Sequence, residues 1–267
     1  MYYGDANGYL VLGLIISSFS SVFSYYFSDK LVLLSVGAVP ANKEIYFNFY
    51  TAGENMAIAT GIPMPKLYVI PDSAPNAFAT GRDPQHAVVC ATEGLLALMD
   101  RGELEGVIAH EMSHIKNYDM LVMTVVSVLV GTVSLVADWI MRSMWWGGGN
   151  RDDDNNSGNK NIFTFILLIV ALIIAPLTAT LIQLAISRRR EYLADADAAL
   201  LTRRPMSLAS ALQKISGYPA GMKTATSATA HLFISNPFKK GKKGDWFTNM
   251  FSTHPPIEER IRLLREM

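Results

Sequence analysis

The stretch GVIAHEMSHIKNYD, residues 106–119, contains two histidines one helical turn apart, with a glutamate directly after the first. Residues four apart on an α-helix differ by about 40° around its axis, so the imidazoles of His110 and His114 project from one face and can bind one ion. Glu111 is close enough to take a proton from water beside such an ion. An amphipathic helix with surface histidines also fits the pattern, so residues elsewhere in the chain are needed to distinguish the two interpretations.

The composition limits the class of protein. Half of the 267 residues are hydrophobic and 17% are charged, a balance too apolar for an ordinary soluble chain of this size. The formal net charge is zero, so charge does not favour nucleic acid as a partner. Cys90 is the only cysteine, which excludes an intrachain disulfide and a metal site made of several cysteines.

Three blocks of sequence hold most of the hydrophobic residues: 6–28, 120–141 and 162–187. A helix needs roughly 18–20 apolar residues to cross a bilayer core. Each block is near or above this length, so the sequence predicts three membrane-spanning helices. A buried core helix is the alternative, and it fits best for the second block, where Asp138 interrupts the apolar run.

Basic residues beside these blocks predict the orientation in the membrane. Lysines follow the first block and Arg188–Arg190 directly follow the third, whereas no lysine or arginine precedes the first. Cytoplasmic flanks of membrane helices carry an excess of these residues. The amino terminus and the loop 142–161 are therefore expected outside the cytoplasm, and the segments 29–119 and 188–267 inside it.

The two cytoplasmic segments predict one small α+β domain, which the helical hairpin between them splits. Three short β-prone runs separated by turn residues predict antiparallel strands: 66–71, 76–80 and 87–92. EGLLALMD (93–100) and ELEGVIAHEMSHIKN (103–117) predict helices that meet near Gly102. Residues 217–253 receive no assignment.

A catalytic metal site needs a third protein ligand and an open position. Asp119 follows His114 by five residues, about 140° around a continuing helix, so we expect it to face away unless the helix ends first. The better candidates are Glu191 and Asp195 in RRREYLADADAA (188–199), because residues four apart share a helical face. The alternative for Glu191 is a salt bridge with the preceding arginines.

The predicted topology brings this candidate to the histidines. His114 lies just before the second apolar block, and Glu191 lies just after the third. An antiparallel hairpin returns the chain to the side of the membrane that it left, so both residues are expected on the same face of the bilayer.

Four motifs, which in chain order are PNAFATGR, HEMSHIKNYD, RRREYLADADAA and FSTHPPIEERI, together resemble the HtpX family of bacterial membrane zinc endopeptidases over nearly the whole chain. The resemblance implies a zincin-like (gluzincin) protease domain on the cytoplasmic side of the cell membrane, with one zinc ion per chain. It implies His110, His114 and Glu191 as zinc ligands and Glu111 as general base. It also implies that Asp195 hydrogen-bonds a ligating histidine and so fixes the imidazole tautomer.

The resemblance also implies roles for two further motifs. Asn76, Ala77, Phe78 and Ala79 are similar to the substrate-binding edge strand of this protease class, which offers backbone groups to an extended peptide. An ordinary strand with an asparagine at a turn is the alternative. His254 is implied near the zinc ion, where it would polarise the reacting carbonyl or occupy the open position. Alternatively, it shapes the turn before a C-terminal helix.

One feature departs from the family. Its members usually carry a further hydrophobic segment ahead of the one at 6–28, and this sequence starts at MYYGDANG without it. Two explanations remain open: the chain is a natural short form, or its sequence is truncated at the start. The departure affects the expected number of spans and the location of the amino terminus, and leaves the catalytic motifs unchanged.

The expected partners are polypeptide substrates, above all unfolded or membrane proteins, and the lipid bilayer, with no nucleic acid. FKKGKKGDWF (238–247) places four lysines beside aromatic residues, which fits anionic lipid or a solvated loop better than RNA. The resemblance implies protein quality control by cleavage of damaged proteins. A dedicated processing protease and a non-enzymatic membrane scaffold are the alternatives, and the intact Glu111 argues against the second.

Overall fold

The computed structural model describes residues 6–123, 158–226, 232–238 and 254–267, together with 125–126, 129–130, 133, 136–137, 140 and 229. Seven helices have both ends in this part of the chain: α1 (Ala6–Ser35), α2 (Phe47–Thr60), α3 (Glu93–Leu98), α4 (Arg101–Lys116), α5 (Gly158–Thr202), α6 (Pro205–Gly217) and α7 (Ile257–Arg265). Four strands are described: β1 (Val39–Pro40), β2 (Lys66–Ile70), β3 (Ala77–Thr80) and β4 (Val88–Thr92).

The chain forms two compact units. The first unit comprises Met1–Val22 and Met123–Ala185, and its described residues are helical. Residues 142–157 of the predicted loop and ten of the 22 residues in the predicted block 120–141 lie outside the described residues. No helix in the described part of the chain is both long enough and apolar enough to cross a membrane.

The second unit comprises Phe23–Val122 and Ile186–Met267 and contains the sheet. This unit is a mixed α+β domain, as the sequence predicts. The strand order is β1-β2-β4-β3, so β3 lies at one edge. All five residues of the inner strand β4 are buried, as expected for a strand that is covered on both faces.

The prediction that all the strands are antiparallel is wrong for one pair. β3 and β4 form an antiparallel pair, joined through a short 3-10 helix at Pro84–His86, but β2 and β4 run parallel, with Lys66 opposite Val88. The reason is the order of the chain. It passes from β2 to the sheet edge, forms β3, and returns as β4 between them, so two reversals restore the direction of β2.

Helix α4 is the centre of the domain. A capping box fixes its start, because the Asp100 carboxylate accepts a hydrogen bond from Glu103 N and the Glu103 carboxylate accepts one from Asp100 N. Helices α3 and α4 meet at Met99 and Asp100, so Gly102 lies next to their junction, as predicted, in the first turn of α4. Helices α2 and α6 and strand β3 all pack against α4. Its residues from Val107 to Ser113 are buried throughout, including the polar ones.

Helix α3 begins where β4 ends, and the approach is close. Thr92 caps the helix with its side chain, and Gly94 N donates to the carbonyl of Asp72. A Cβ atom at Gly94 would lie 2.0 Å from the carbonyl oxygen of Ser73, which is backbone and cannot swing away. Glycine is therefore required at this position.

We predict that Gly94→Ala lowers the free energy of unfolding by about 1–3 kcal/mol, the usual cost of overpacking. Gly217→Ala is the matched control, since a Cβ at that helical position meets no atom within 4 Å. Thermal melts of the two full-length variants should show a lower midpoint for the first alone. Equal midpoints would contradict the close approach at Ser73.

Candidate metal centre

His110 and His114 lie on one face of α4 and approach each other closely. Their Nε2 atoms are 3.1 Å apart, and their rings are nearly perpendicular, at 89°. His110 is fully buried, whereas 17% of the His114 side chain is exposed. This partial exposure leaves a path for solvent or a ligand on one side of the pair.

Glu191, from the last turns of α5, completes a cluster with the two histidines. Its Oε2 lies 3.7 Å from His110 Nε2, and its Oε1 lies 3.5 Å from His114 Nε2. One ligand atom from each of the three residues can be chosen so that all lie within 4.8 Å of one another. Two imidazoles and one carboxylate form a donor set that suits zinc.

The opposite nitrogen of each ring faces a carboxylate. His110 Nδ1 lies 3.0 Å from Asp195 Oδ1, and His114 Nδ1 lies 2.7 Å from Asp119 Oδ2. When each Nδ1–H donates to its carboxylate, both Nε2 atoms turn lone pairs toward each other. Two lone pairs at 3.1 Å repel unless a cation lies against them, so these residues fit a metal ion.

Asp119 reaches His114 because α4 ends early. The helix stops at Lys116, and Tyr118 takes a left-handed conformation with φ of 55°. The helix therefore ends before residue 119, and this turn redirects the chain so that Asp119 faces His114. Asp119 is buried, and Arg190 forms an ion pair with its other oxygen.

The sequence analysis missed Arg260, which is the largest side chain among the fully buried ones. Its Nε and Nη2 donate to both oxygens of Asp195, at 2.8 and 2.7 Å. Its Nη1 lies 3.2 Å from Glu191 Oε2 and donates to the carbonyl of Ile234 at 3.0 Å. A single guanidinium thus links α7, α5 and the segment around Ile234.

The charges around Arg260 shift the ionisation of its neighbours. Burial alone would raise the pKa of Asp195, but the charge and hydrogen bonds of Arg260 outweigh it and lower that pKa to about 2. Burial likewise opposes ionisation of Glu191, yet His254 and Arg260 hold its pKa well below the usual range. Both carboxylates are therefore anionic at neutral pH.

The environment of Glu111 shifts its pKa in the opposite direction. Burial raises the pKa of Glu111 to about 7, and the Glu191 carboxylate adds to this rise, while the charges of His114 and Arg260 oppose it. The backbone of Ala79 in β3 also hydrogen-bonds the Glu111 carboxylate. A carboxyl group that titrates near neutral pH can both accept and donate a proton.

His254 lies at the cluster, as the resemblance implies. Its Nδ1 is 3.3 Å from Glu191 Oε1, and 15% of its side chain is exposed. It comes directly before the two prolines that start α7, so the same segment positions His254 and Arg260.

The predicted edge strand lies where the resemblance implies, but part of its edge is already paired. Ile234 N donates to the carbonyl of Ala77 at 2.9 Å. The amide of Asn76 donates to the carbonyl of Ser235 and accepts from Ala77 N. Of the candidate residues in this strand, Ala79 is the one next to Glu111.

Comparison with known proteins agrees with this geometry. The model of the peptidase family M48 matches residues 49–267. The chain belongs to this family and is a metallopeptidase.

Curated relatives confirm the resemblance seen in the four motifs. The "Protease HtpX homolog" of Thermoanaerobacter pseudethanolicus is 51% identical over 261 residues, which cover 98% of this chain and 85% of that protein. The protein of the same description from Pyrococcus furiosus is 45% identical over 268 residues, covering 100% and 89%. Among solved structures, S. mikatae Ste24p matches with a TM-score of 0.61 at 20% identity, which supports the fold. That match covers 96% of this chain, and the chain spans 58% of Ste24p.

We predict that Arg260→Ala lowers the free energy of unfolding of the metal-free protein by about 3–5 kcal/mol, because it leaves two buried carboxylates without their cation. The matched control is Arg262→Ala on the same helix, whose ion pair with Glu266 is exposed and contributes little. Urea unfolding in the presence of a chelator measures both variants. Equal midpoints would contradict the role given to the buried guanidinium.

The pH dependence of this contribution has a definite sign. The folded pKa of Asp195, about 2, lies below its unfolded value of roughly 3.9. Stability from this ionisation is therefore fully present above about pH 4 and is lost as the pH falls toward 2. Unfolding midpoints of wild type and Arg260→Ala should converge over that window.

Proposed function

We propose that this chain is a membrane-bound zinc endopeptidase that cleaves damaged or misfolded proteins on the cytoplasmic side of the cell membrane. The proposed ligands are His110, His114 and Glu191, with one zinc ion per chain. The observation that carries the proposal is the facing pair of histidine Nε2 atoms, 3.1 Å apart, with a buried carboxylate beside both.

The proposed chemistry divides between the ion and the chain. A bound zinc ion supplies a Lewis acid for the peptide carbonyl and makes water a usable nucleophile near neutral pH. Glu111 takes the proton from the attacking water and passes it to the leaving amine. Its buried position directly after His110, one of the proposed ligands, supports this role. His254 donates a hydrogen bond to the developing negative charge on the carbonyl oxygen.

We infer that an extended substrate peptide pairs with β3 through its backbone. Backbone pairing is largely independent of side-chain sequence, so it suits unfolded polypeptides of many kinds. Ala77 already bonds Ile234, and the Ala79 backbone bonds the Glu111 carboxylate. A substrate peptide would replace the second contact, so it is proposed to pair at Ala79, where the bond to be cleaved would lie next to Glu111.

We predict that Glu111→Gln retains zinc and the fold but loses about 10²–10⁴-fold in activity, the usual contribution of a positioned general base. His110→Ala should lose both zinc and activity, since two remaining ligands hold the ion poorly. Casein cleavage, zinc content and thermal melts of the purified variants test this.

Glu105→Gln serves as the matched control. This residue lies on the same helix, where its carboxylate accepts hydrogen bonds from Arg101 and Asn55. Glutamine keeps an acceptor oxygen for these contacts, so the variant should behave like the wild type. Full cleavage of casein by a zinc-loaded Glu111→Gln variant would refute the mechanism. Cleavage by neither the wild type nor the control would favour the non-enzymatic scaffold.

The membrane part of the proposal rests on the three apolar blocks and on Arg188–Arg190 after the third. We propose spanning helices at 6–28, 120–141 and 162–187, with the loop 142–161 outside the cytoplasm.

We predict that a cysteine introduced by Ser157→Cys reacts with an impermeant thiol reagent in intact cells. Cys90 is fully buried, and burial together with the nearby Glu111 raises the pKa of its thiol, so the wild type is an unreactive control. Labelling that appears only after lysis, with the protein in the membrane fraction, would reverse the orientation.

A further inference from the structure

The turn that ends α4 is anchored by two contacts from α5. Arg190 donates to the carbonyl of Asn117 and forms an ion pair with Asp119. Asp197, two helical turns further along α5, accepts a hydrogen bond from the Asn117 side chain at 2.8 Å. The turn is therefore held at Asn117 and at Asp119, and Asp119 also contacts His114.

We propose that Asp119, held by Arg190, is a positioning residue that orients His114 for the metal ion. The proposal rests on the proposed function, because it takes His114 as a ligand. Asp119 Oδ2 lies 2.7 Å from His114 Nδ1, at the ring position opposite the proposed ligand atom Nε2. Asp119 is buried, and so the contact is shielded from competing water.

The two histidines have equivalent surroundings, which supports this role. Each Nδ1 faces a buried carboxylate, and each carboxylate is held by an arginine. For His110 the pair is Asp195 with Arg260. For His114 the pair is Asp119 with Arg190. Without Asp119 the ring of His114 would be free to rotate and to take the other tautomer.

The position of Arg190 connects this pair to the third proposed ligand. Arg190 directly precedes Glu191 on α5, so one helical turn directs the guanidinium to Asp119 and the carboxylate to the histidines. A carboxylate on Nδ1 fixes the tautomer that presents the Nε2 lone pair and raises the basicity of the ring. The arginine in turn fixes the carboxylate.

The competing explanation is that Asp119 only stabilises the turn. Asp197 allows the two explanations to be separated, since it anchors the same turn from the same helix through Asn117. Asp197 bonds the turn through Asn117 and its charge acts on Arg190, and neither of these contacts involves a histidine. A purely structural effect would follow from removing either anchor, whereas an effect on the ligand would follow from Asp119 alone.

The experiment measures the zinc dissociation constants of full-length Asp119→Ala, Asp119→Asn and Asp197→Ala by competition with a chelator. The visible spectra of the Co²⁺-substituted proteins give a second readout that reports the ligand geometry. We expect Asp119→Ala to weaken zinc binding about 10–100-fold, the usual effect of removing a partner of a ligating histidine, and to change the Co²⁺ spectrum. Asp119→Asn keeps an acceptor oxygen without its charge and should have a smaller effect. Asp197→Ala removes the acceptor for the Asn117 side chain and should match the wild type in both readouts.

Two results would overturn the inference while leaving the proposed function in place. One is wild-type zinc affinity and Co²⁺ spectrum in Asp119→Ala. The other is equal loss of affinity in Asp119→Ala and Asp197→Ala, which would assign the effect to the turn. A wild-type protein that holds no zinc would instead remove the proposed function itself, and this inference with it.

Discussion

The buried ion pair between Arg260 and Asp195 is the interaction on which the site depends. The proposed metal centre collects several buried carboxylates, and like charges there would repel strongly. Arg260 bonds both oxygens of Asp195 and lies 3.2 Å from Glu191 Oε2. It thereby keeps both groups anionic and fixes Asp195 against His110. A buried charge pair of this kind contributes through geometry more than through net stability.

This ion pair also links the packing of the helices to the geometry of the site. The histidines come from α4, Glu191 from α5 and Arg260 from α7, three helices that are far apart in the sequence. Docking of α7 places Arg260 beside Asp195 and Glu191, so these carboxylates gain their buried cation only once the last helix has packed. Any ion that binds this cluster therefore also stabilises the docked C-terminal helix.

Local patterns in the sequence were sufficient for part of this arrangement. His110, Glu111 and His114 follow from the spacing on one helix, and Glu191 follows from its place beyond an apolar hairpin. The contacts of Asp119 and Arg260 could not be read in this way. Asp119 depends on where α4 stops, at a left-handed Tyr118 that no glycine marks.

Arg260 did leave a signal in the sequence, because it lies three residues after Ile257 and four before Leu264, on the apolar face of α7. The parallel pairing of β2 with β4 left no signal in the sequence, since strand order depends on contacts between distant segments.

The hydrogen bond that already occupies part of the edge of β3 also comes from a distant segment. Ile234 is held on one side by Ala77 and on the other by Arg260. The guanidinium that bonds Asp195 therefore also holds the segment that covers β3 at Ala77.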